Sequence, residues 1–214
     1  MIKNIERGCF ITLEGGEGAG KSTQIRHLAE RLKERRLDVL ITREPGGTPG
    51  GEAIRHLLVN GDTGRWQPMT EALLHTAARV EHVQKVIEPA LSRGVWVISD
   101  RFADSTRAYQ GAAQGLSVET VDDLQRLALG TFAPDLTLIL DLPVTVALER
   151  TRERGAGAED RYERMGNSFH ERLRAAFLGI ARNEPVRCRV IDASGSVEEV
   201  ASRVWTTVRD ALIP

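Results

Sequence analysis

A glycine-rich segment near the N-terminus contains the residues best suited to chemistry. Residues 15–23 read Gly-Gly-Glu-Gly-Ala-Gly-Lys-Ser-Thr, which fits the pattern GxxxxGK[ST] in full. Glycines allow backbone N–H groups to surround phosphate oxygens, the lysine can reach the β- and γ-phosphates, and the serine hydroxyl can bind Mg²⁺. The pattern therefore predicts a cradle, or P-loop, for ATP and Mg²⁺. The residues predicted to bind ATP are Gly15, Gly16, Glu17, Gly18, Ala19, Gly20, Lys21, Ser22 and Thr23.

Other nucleotide-binding proteins carry the same pattern, so the rest of the sequence must distinguish among them. A GTPase needs a guanine-reading Asn-Lys-x-Asp, which the sequence lacks, and no segment resembles the LSGGQ motif of transporter ATPases. One DxxG match at residues 192–195 follows the last predicted strand, which is typical of a chance match. These observations favour a kinase, and a non-catalytic nucleotide switch is the alternative class.

A second group of charged residues indicates an acceptor site beside the P-loop. Asp100 ends the third apolar run, where a carboxylate can hold Mg²⁺ or its water; the alternative is an N-cap for the next segment. Arg101 follows it, and Arg79 lies in a helical segment otherwise poor in charge. Guanidinium groups bind phosphate through two hydrogen bonds, so these arginines predict a second phosphate site. The predicted metal ligands are Ser22 and Asp100.

Five short apolar runs, separated by segments of helical period, are the strands expected to position these residues. Most of the runs are continuously hydrophobic, as in strands buried on both faces of a parallel sheet. Alternation over the whole length predicts one α/β domain, residues 1–214, whose ligands bind beyond the carboxyl ends of the strands. Pro89 is expected to bend or divide the helical stretch 70–93. The predicted strands are Cys9–Leu13, Val39–Thr42, Val95–Ser99, Leu136–Leu140 and Val190–Asp192.

Charge, hydropathy and cysteine content argue against several other classes. The formal net charge is −1, so no general attraction to nucleic acid or to an anionic membrane is expected. No apolar stretch has the length of a signal peptide or a membrane span. The two cysteines, Cys9 and Cys188, form neither a CxxC pair nor a His/Cys cluster. We therefore expect a cytoplasmic enzyme with reduced thiols and a small-molecule substrate.

Four segments together resemble the bacterial thymidylate kinase family. They are residues 15–22, Thr-Arg-Glu-Pro-Gly-Gly-Thr at 42–48, Asp-Arg-Phe at 100–102 and Ala-Tyr-Gln-Gly at 108–111. Their order and spacing match over nearly the whole chain. The resemblance implies a P-loop nucleoside monophosphate kinase fold, with a five-stranded parallel sheet flanked by helices, and a homodimer. It also implies transfer of the γ-phosphoryl group of ATP to dTMP; a kinase for another nucleoside monophosphate is the alternative.

The resemblance implies roles for individual residues around the acceptor. Arg79 and Arg101 would hold the phosphate of dTMP, and Tyr109 would lie under the deoxyribose, where it would disfavour a 2′-hydroxyl. Ser105, Thr106 and Gln110 would lie near the thymine. The residues predicted to bind substrate are Glu44, Pro45, Arg55, His75, Arg79, Arg101, Ser105, Thr106, Tyr109 and Gln110.

Two of these positions have special features. Pro45 lies in a loop of the kind that often contains a cis peptide bond, so we expect one before it. His75 occupies the position where the family usually carries an aromatic residue that stacks on thymine. It precedes Arg79 by four residues and so shares its helix face, and a like charge nearby should keep the imidazole neutral.

An arginine-rich stretch before a run of glycine and alanine is predicted to form a mobile lid within residues 150–165. The family carries its transition-state arginine either in the P-loop, where this sequence has Gly18, or in the lid. Arg154 matches the lid arginine best, whereas Arg150 and Arg152 fit a solvated helix face. The predicted catalytic residues are Lys21, Arg101 and Arg154.

Overall fold

The computed structural model describes residues 7–154 and 161–213, and in this part of the chain five strands form one parallel sheet. The strand order β2-β3-β1-β4-β5 places β1 in the middle. The predicted five-stranded parallel sheet is therefore confirmed, and the predicted strand ends differ from the observed ones by one or two residues. The strands are β1 Phe10–Glu14, β2 Val39–Arg43, β3 Trp96–Asp100, β4 Leu136–Asp141 and β5 Cys188–Asp192.

Helices follow the strands and pack around the sheet. The central strand β1 is buried on both faces: Phe10 belongs to one hydrophobic cluster, and Ile11 and Leu13 belong to another. No helix in the described residues combines the length and the apolar character needed to span a membrane. The helices are α1 Lys21–Glu34, α2 Pro49–Val59, α3 Pro68–His82, α4 Glu88–Ser92, α5 Ala103–Thr106, α6 Val118–Leu129, α7 Val144–Arg154, α8 Asn167–Asn183 and α9 Val197–Leu212.

The long helical stretch after residue 68 is divided, as predicted from Pro89. Between α3 and α4 the backbone widens into a π-helical turn at Val83–Ile87. Proline has no N–H to donate and its ring crowds the carbonyl four residues earlier, so a regular α-helical bond cannot form there. A second π-helical turn, Arg107–Ala113, follows α5 and carries Tyr109 and Gln110.

Strand register brings the two predicted phosphate sites to the same edge of the sheet. Leu13 of β1 pairs with Asp100 of β3, so the segments that leave these strands start side by side. The P-loop leaves β1, and Arg101 follows β3. In an open parallel sheet this carboxyl edge is where ligands bind.

Candidate active site

The P-loop, residues 15–20, connects β1 to α1, and its backbone conformation requires glycine. Gly15, Gly18 and Gly20 have φ values of 131°, 73° and 90°. Gly18 also packs tightly against α7, because a Cβ atom there would lie 2.1 Å from the carbonyl oxygen of Ala147. The loop is thus shaped both by its own dihedral angles and by the neighbouring helix.

Lys21 begins α1 and reaches back across the loop. Its Nζ donates to the carbonyl oxygens of Gly15 and Gly16, at 3.2 and 2.9 Å. Burial, followed by the nearby Arg101, lowers the pKa of Lys21. This position agrees with a lysine that contacts phosphates held by the loop.

The predicted metal ligands, Ser22 and Asp100, lie in contact. Ser22 Oγ donates to Asp100 Oδ2 at 3.0 Å. Asp100 does not cap the following helix, because the N-cap of α5 is Phe102 and α5 has no side-chain cap. A hydroxyl and a carboxylate oxygen are the donor types that Mg²⁺ prefers, so the pair fits a magnesium site.

A cleft of about 390 Å³ lies between the P-loop, the carboxyl ends of β2 and β3, and α3. This is a normal volume for a small-molecule site. Most of the predicted site residues line it, which brings both phosphate sites into one space. Those on its walls are Glu17, Gly18, Gly20, Lys21, Ser22, Thr23, Glu44, Pro45, Arg55, His75, Asp100, Arg101, Ser105, Tyr109 and Gln110.

Arg101 lies at the centre of the acceptor side. It adopts φ 74°, in the left-handed region that non-glycine residues rarely occupy. Its guanidinium donates to the Gly15 carbonyl at 3.0 Å, to Ser105 Oγ at 3.1 Å and to Glu17 Oε1 at 2.8 Å. Tyr109 donates its hydroxyl to the same Glu17 oxygen at 2.9 Å, and Arg101 lies over its ring.

Glu17 therefore has a role beyond its predicted place in the ATP cradle. Its backbone belongs to the P-loop, but its carboxylate contacts residues of the acceptor side. Burial alone would raise the pKa of Glu17, but Arg101, Lys21 and the bond from Tyr109 outweigh burial and lower it to about 2. The carboxylate is thus ionised at neutral pH and available to accept hydrogen bonds.

Glu14, which no sequence pattern singled out, holds the turn that carries Arg101. It is fully buried, and its two oxygens accept from the Phe102 N–H at 2.7 Å and from the Ser105 hydroxyl at 2.6 Å. Burial, then the negative charge of Asp104, raises its pKa to about 7. Glu14 thus stabilises the strained backbone of Arg101 by bonding to the residues that follow it.

The structure does not bring Arg79 and Thr106 to the cleft. The Arg79 side chain is 2% exposed. Its Nε donates to Glu44 Oε2 at 2.7 Å, and Nη2 donates to the Phe102 carbonyl at 3.2 Å and to Thr106 Oγ1 at 3.0 Å. A buried carboxylate requires a paired charge, and Glu44 meets that need through Arg79. The predicted contacts of Arg79 with phosphate and of Thr106 with thymine stay predictions, and in this structure both side chains lie behind the cleft wall.

His75 lines the cleft, and its burial and the charges around it favour the neutral imidazole that was predicted. Burial, then the positive charges of Arg79 and Arg101, lowers its pKa to about 3, so the imidazole is neutral. Its Nε2 lies 3.3 Å from the hydroxyl oxygen of Tyr162. The peptide bond between Glu44 and Pro45 is cis, as predicted.

The lid arginines divide differently from the prediction. Arg152 is exposed, as expected for a solvated face, but Arg150 is half-buried and lines the cleft, so its assignment to that face is wrong. The reason is helical geometry, because two residues along α7 turn a side chain to the opposite side. Arg154 ends α7, but its side chain and residues 155–160 lie outside the described part of the chain.

Arg161, beyond the glycine- and alanine-rich run of the lid region, is fully buried and does not line the cleft. Its guanidinium donates to the carbonyl oxygens of Leu58, Asp62 and Thr63 at 3.1, 2.8 and 2.7 Å. It also forms an ion pair with Glu71 of α3. Arg161 therefore ties the end of the lid region to α2 and α3.

Besides Glu14, the sequence did not single out four further residues of this region. Val59, Tyr162 and Glu163 line the cleft, and Glu71 lies fully buried behind it. For Glu71 a signal existed: it precedes His75 by four residues, so it shares a helix face with a predicted site residue. The other three carry no pattern that distinguishes them from ordinary surface or core residues.

A parallel sheet with a P-loop on its central strand and an arginine-bearing pocket beside that loop defines a P-loop nucleoside monophosphate kinase. A family model described as thymidylate kinase matches residues 13–204. Thymidylate kinase of Bradyrhizobium diazoefficiens is 54% identical over 97% of this chain and 92% of its own length. That of Caulobacter vibrioides is 57% identical over 94% of this chain and 96% of its own length. The chain belongs to the thymidylate kinase family.

A solved structure agrees with this assignment. The crystal structure of thymidylate kinase from Ehrlichia chaffeensis has a TM-score of 0.75 and 35% sequence identity to this chain. The match covers 94% of this chain and 99% of that one. Fold and family therefore agree over almost the whole length.

Proposed function

We propose that this chain binds ATP and Mg²⁺ along the P-loop and transfers the γ-phosphoryl group to dTMP, giving dTDP and ADP. The observation that carries this proposal is one cleft lined by two kinds of residue. Lys21 and the Ser22–Asp100 pair suit a nucleoside triphosphate, and Arg101 beside Tyr109 suits a nucleoside monophosphate. Holding donor and acceptor in one space removes most of the entropic cost of their meeting.

The acceptor needs no general base. It is a phosphate monoester with a second pKa of about 6, so its oxygen is already ionised at neutral pH. The obstacle is the approach of this anion to the polyphosphate. Lys21, Arg101 and Arg150 line the cleft and supply positive charge. Catalysis then rests on positioning and electrostatics, as in phosphoryl transfer generally.

Ser22 and Asp100 would hold the magnesium ion through their side-chain oxygens. Mg²⁺ usually takes one or two protein ligands and completes its shell with water and phosphate oxygens, which a hydroxyl–carboxylate pair allows. When bound, it neutralises charge on the phosphates.

The acceptor would lie along Arg101, Tyr109 and His75. Arg101 would contact the phosphate, and Arg55 lines the same cleft. The Tyr109 ring would lie under the deoxyribose, close to the Glu17 carboxylate that accepts its hydroxyl. His75 and Gln110 would face the base. Arg79 bonds to Glu44 and does not line the cleft.

The lid, residues 150–165 of the single domain 1–214, would close over both substrates. Arg154 would deliver a positive charge to the transferred group, as an arginine finger does. Closure would also exclude water, which prevents hydrolysis of ATP. The free thiols of Cys9 and Cys188 fit a reducing compartment, so we place the enzyme in the cytoplasm.

We also propose a homodimer formed through α2, α3 and α6. Helix α3 contacts both α2 and α6, and the three helices expose apolar side chains: Leu57, Met69, Leu73 and Leu127 are 38%, 39%, 50% and 87% exposed. Apolar residues grouped on neighbouring helices are typical of a protein interface. A self-complementary face of this kind suits a twofold dimer.

The dimer is tested by sedimentation velocity. Leu73→Glu should give monomers at concentrations where the wild type is dimeric. Val186→Glu is the matched control, because Val186 is 87% exposed but lies on none of these helices. A dimeric Leu73→Glu variant, or a monomeric wild type, would contradict the proposal.

The activity is tested by offering ATP, Mg²⁺ and one acceptor at a time, with ADP release as the readout. Turnover should be fast with dTMP and weaker with dUMP, and low with UMP, CMP, AMP, GMP and shikimate. Lys21→Ala should lower turnover by at least about 10²-fold while thermal unfolding changes little. Another preferred acceptor would replace the substrate assignment, and slow hydrolysis independent of acceptor would indicate a switch.

A further inference from the structure

Glu71 is a fully buried carboxylate behind the cleft, and four side chains donate to it. We call this group the Glu71 cluster: Glu71, Gln110, Gln114, Arg161 and Tyr162. Gln110 Nε2 and Gln114 Nε2 lie 2.9 and 3.0 Å from Oε2, and the Tyr162 hydroxyl lies 3.1 Å from the same oxygen. Arg161 forms an ion pair with Oε1. A buried charge persists only when it is paired and hydrogen-bonded, and the cluster meets both conditions.

The carboxylate determines which end of each amide faces it. An ionised carboxylate paired with a guanidinium accepts hydrogen bonds and donates none. Gln110 must therefore turn its NH₂ group toward Glu71. Gln110 also lines the cleft, so its carbonyl oxygen is the group left for a ligand. Gln114 makes the same bond to Glu71 but does not line the cleft.

Glu71 also fixes the hydrogen-bonding role of His75, because Tyr162 lies between the two side chains. The single hydroxyl hydrogen of Tyr162 is donated to Glu71, so the hydroxyl oxygen must accept from His75 Nε2–H, 3.3 Å away. This fixes the neutral imidazole as the Nε2–H tautomer and leaves Nδ1 as an acceptor. One buried carboxylate thus sets two acceptors, one on Gln110 and one on His75.

We propose that Glu71 is a positioning residue that makes this end of the cleft accept hydrogen bonds from the base and so selects against cytosine. The proposal rests on the assignment of the cleft to a pyrimidine nucleoside monophosphate. Thymine and uracil carry an N3–H donor, whereas N3 of cytosine is an acceptor. A cytosine would leave the Gln110 carbonyl facing another acceptor, and an unmatched buried polar group costs more than a lost contact.

Glu71→Gln tests the proposal, because a glutamine can both donate and accept and no longer fixes its partners. The kcat/KM ratio of dTMP to dCMP should fall at least about tenfold. The ratio of dTMP to dUMP should stay unchanged, since both bases carry N3–H. Imidazole ¹H–¹⁵N correlation spectra should show the Nε2–H tautomer at His75 in the wild type and a mixture in the variant. An equal loss for all three acceptors with an unchanged tautomer would overturn the proposal.

Glu71→Gln leaves Arg161 without its charge partner, so a second pair of variants keeps the test independent of folding. Gln110→Met and Gln114→Met each remove one donor to the same carboxylate oxygen, but only Gln110 lines the cleft. Gln110→Met should lower the dTMP to dCMP ratio at least about tenfold, and Gln114→Met should keep the wild-type ratio. Equal ratios in the two variants would overturn the proposal. A wild type that does not phosphorylate dTMP would instead remove the substrate assignment itself.

Discussion

The P-loop lines the cleft and the Glu71 cluster lies mostly behind it, and the two are built in opposite ways. The P-loop, residues 15–23, uses backbone groups of consecutive residues, and its shape comes from glycine dihedral angles. The Glu71 cluster uses side chains from α3, from the π-helical turn at Arg107–Ala113 and the residue that follows it, and from the C-terminal part of the lid region. The P-loop is therefore determined by neighbouring residues in the sequence, whereas the Glu71 cluster forms only when distant segments come together in the folded chain.

This difference decides how each region responds to substitution. A P-loop side chain such as Lys21 is proposed to act on the ligand, so its loss should affect rate more than stability. A member of a buried charge network holds its partner, so its loss should affect stability more than rate. The arginines of this chain fall on both sides of that division, which makes them the sharpest test.

Arg154 carries the largest expected effect on rate. Arg154→Ala should lower kcat by about 10³-fold or more with little change in dTMP affinity, because an arginine finger stabilises only the transition state. Stopped-flow or steady-state kinetics measure this. Arg152→Ala is the control, since Arg152 is exposed on the same helix and should stay close to wild type. The kcat of Arg150→Ala should lie between those of the other two variants. Equal, small effects at all three positions would contradict a catalytic role for a lid arginine.

Arg79 and Arg101 should separate stability from binding. Arg79→Ala removes the guanidinium partner of the buried Glu44 carboxylate and leaves it the contact with His82 Nδ1 at 2.9 Å, so the unfolding free energy should drop by about 3 kcal/mol. Arg101→Ala should instead raise the KM for dTMP and lower kcat, with a smaller stability change. Urea unfolding of both variants measures the change in stability, and steady-state kinetics with dTMP measure the change in KM and kcat. A stable Arg79→Ala variant with weakened dTMP binding would restore the phosphate role that the sequence predicted.

Glu14 should make stability depend on pH. Its pKa is raised from 4.5 to about 7 in the folded chain, so folding favours the protonated carboxyl. This contribution is fully present below about pH 4.5 and is lost as pH rises through about 7. The loss is on the order of 3 kcal/mol. Glu14→Gln mimics the protonated form, so denaturant unfolding between pH 4.5 and 8 should show the wild type losing stability relative to the variant. A constant difference across this range would contradict the raised pKa.

His75 carries the smallest expected effect. His75→Ala should weaken dTMP binding by about 1 kcal/mol, the scale of a stack between a base and an aromatic ring. His75→Phe should preserve or tighten binding, because the imidazole is neutral and a phenyl ring offers more stacking area. Isothermal titration with dTMP measures both. An alanine variant that binds as tightly as wild type would end the stacking role and leave the kinase assignment intact.

The parts of the molecule that could be predicted from sequence are those determined by neighbouring residues. The glycine pattern predicted the P-loop, and continuous apolar runs predicted the five parallel strands. Asp100 and Arg101 could be placed because they directly follow a strand at the carboxyl edge. Each of these signals is confined to a short segment, so one sequence is enough to read it.

The contacts that the sequence did not reveal are those in which distant residues compete for the same group. Arg79 shares a helix face with His75, but Glu44, 35 residues away in the sequence, draws its guanidinium out of the cleft. The Thr106 side chain also lies away from the cleft, because its hydroxyl oxygen accepts a hydrogen bond from Arg79. Glu17 belongs to the P-loop by its position in the sequence, but its carboxylate accepts hydrogen bonds from Arg101 and Tyr109. Periodicity predicts which face a residue occupies but not which buried partner it chooses.

The close approach of Gly18 to the Ala147 carbonyl has a consequence for how this enzyme can evolve. With 2.1 Å between that oxygen and a Cβ atom, any side chain at position 18 requires α7 to shift. The helix that would have to move is the one that ends in Arg154. An arginine at position 18 and the present position of α7 are therefore incompatible, so a chain that gained the first would have to rearrange the second.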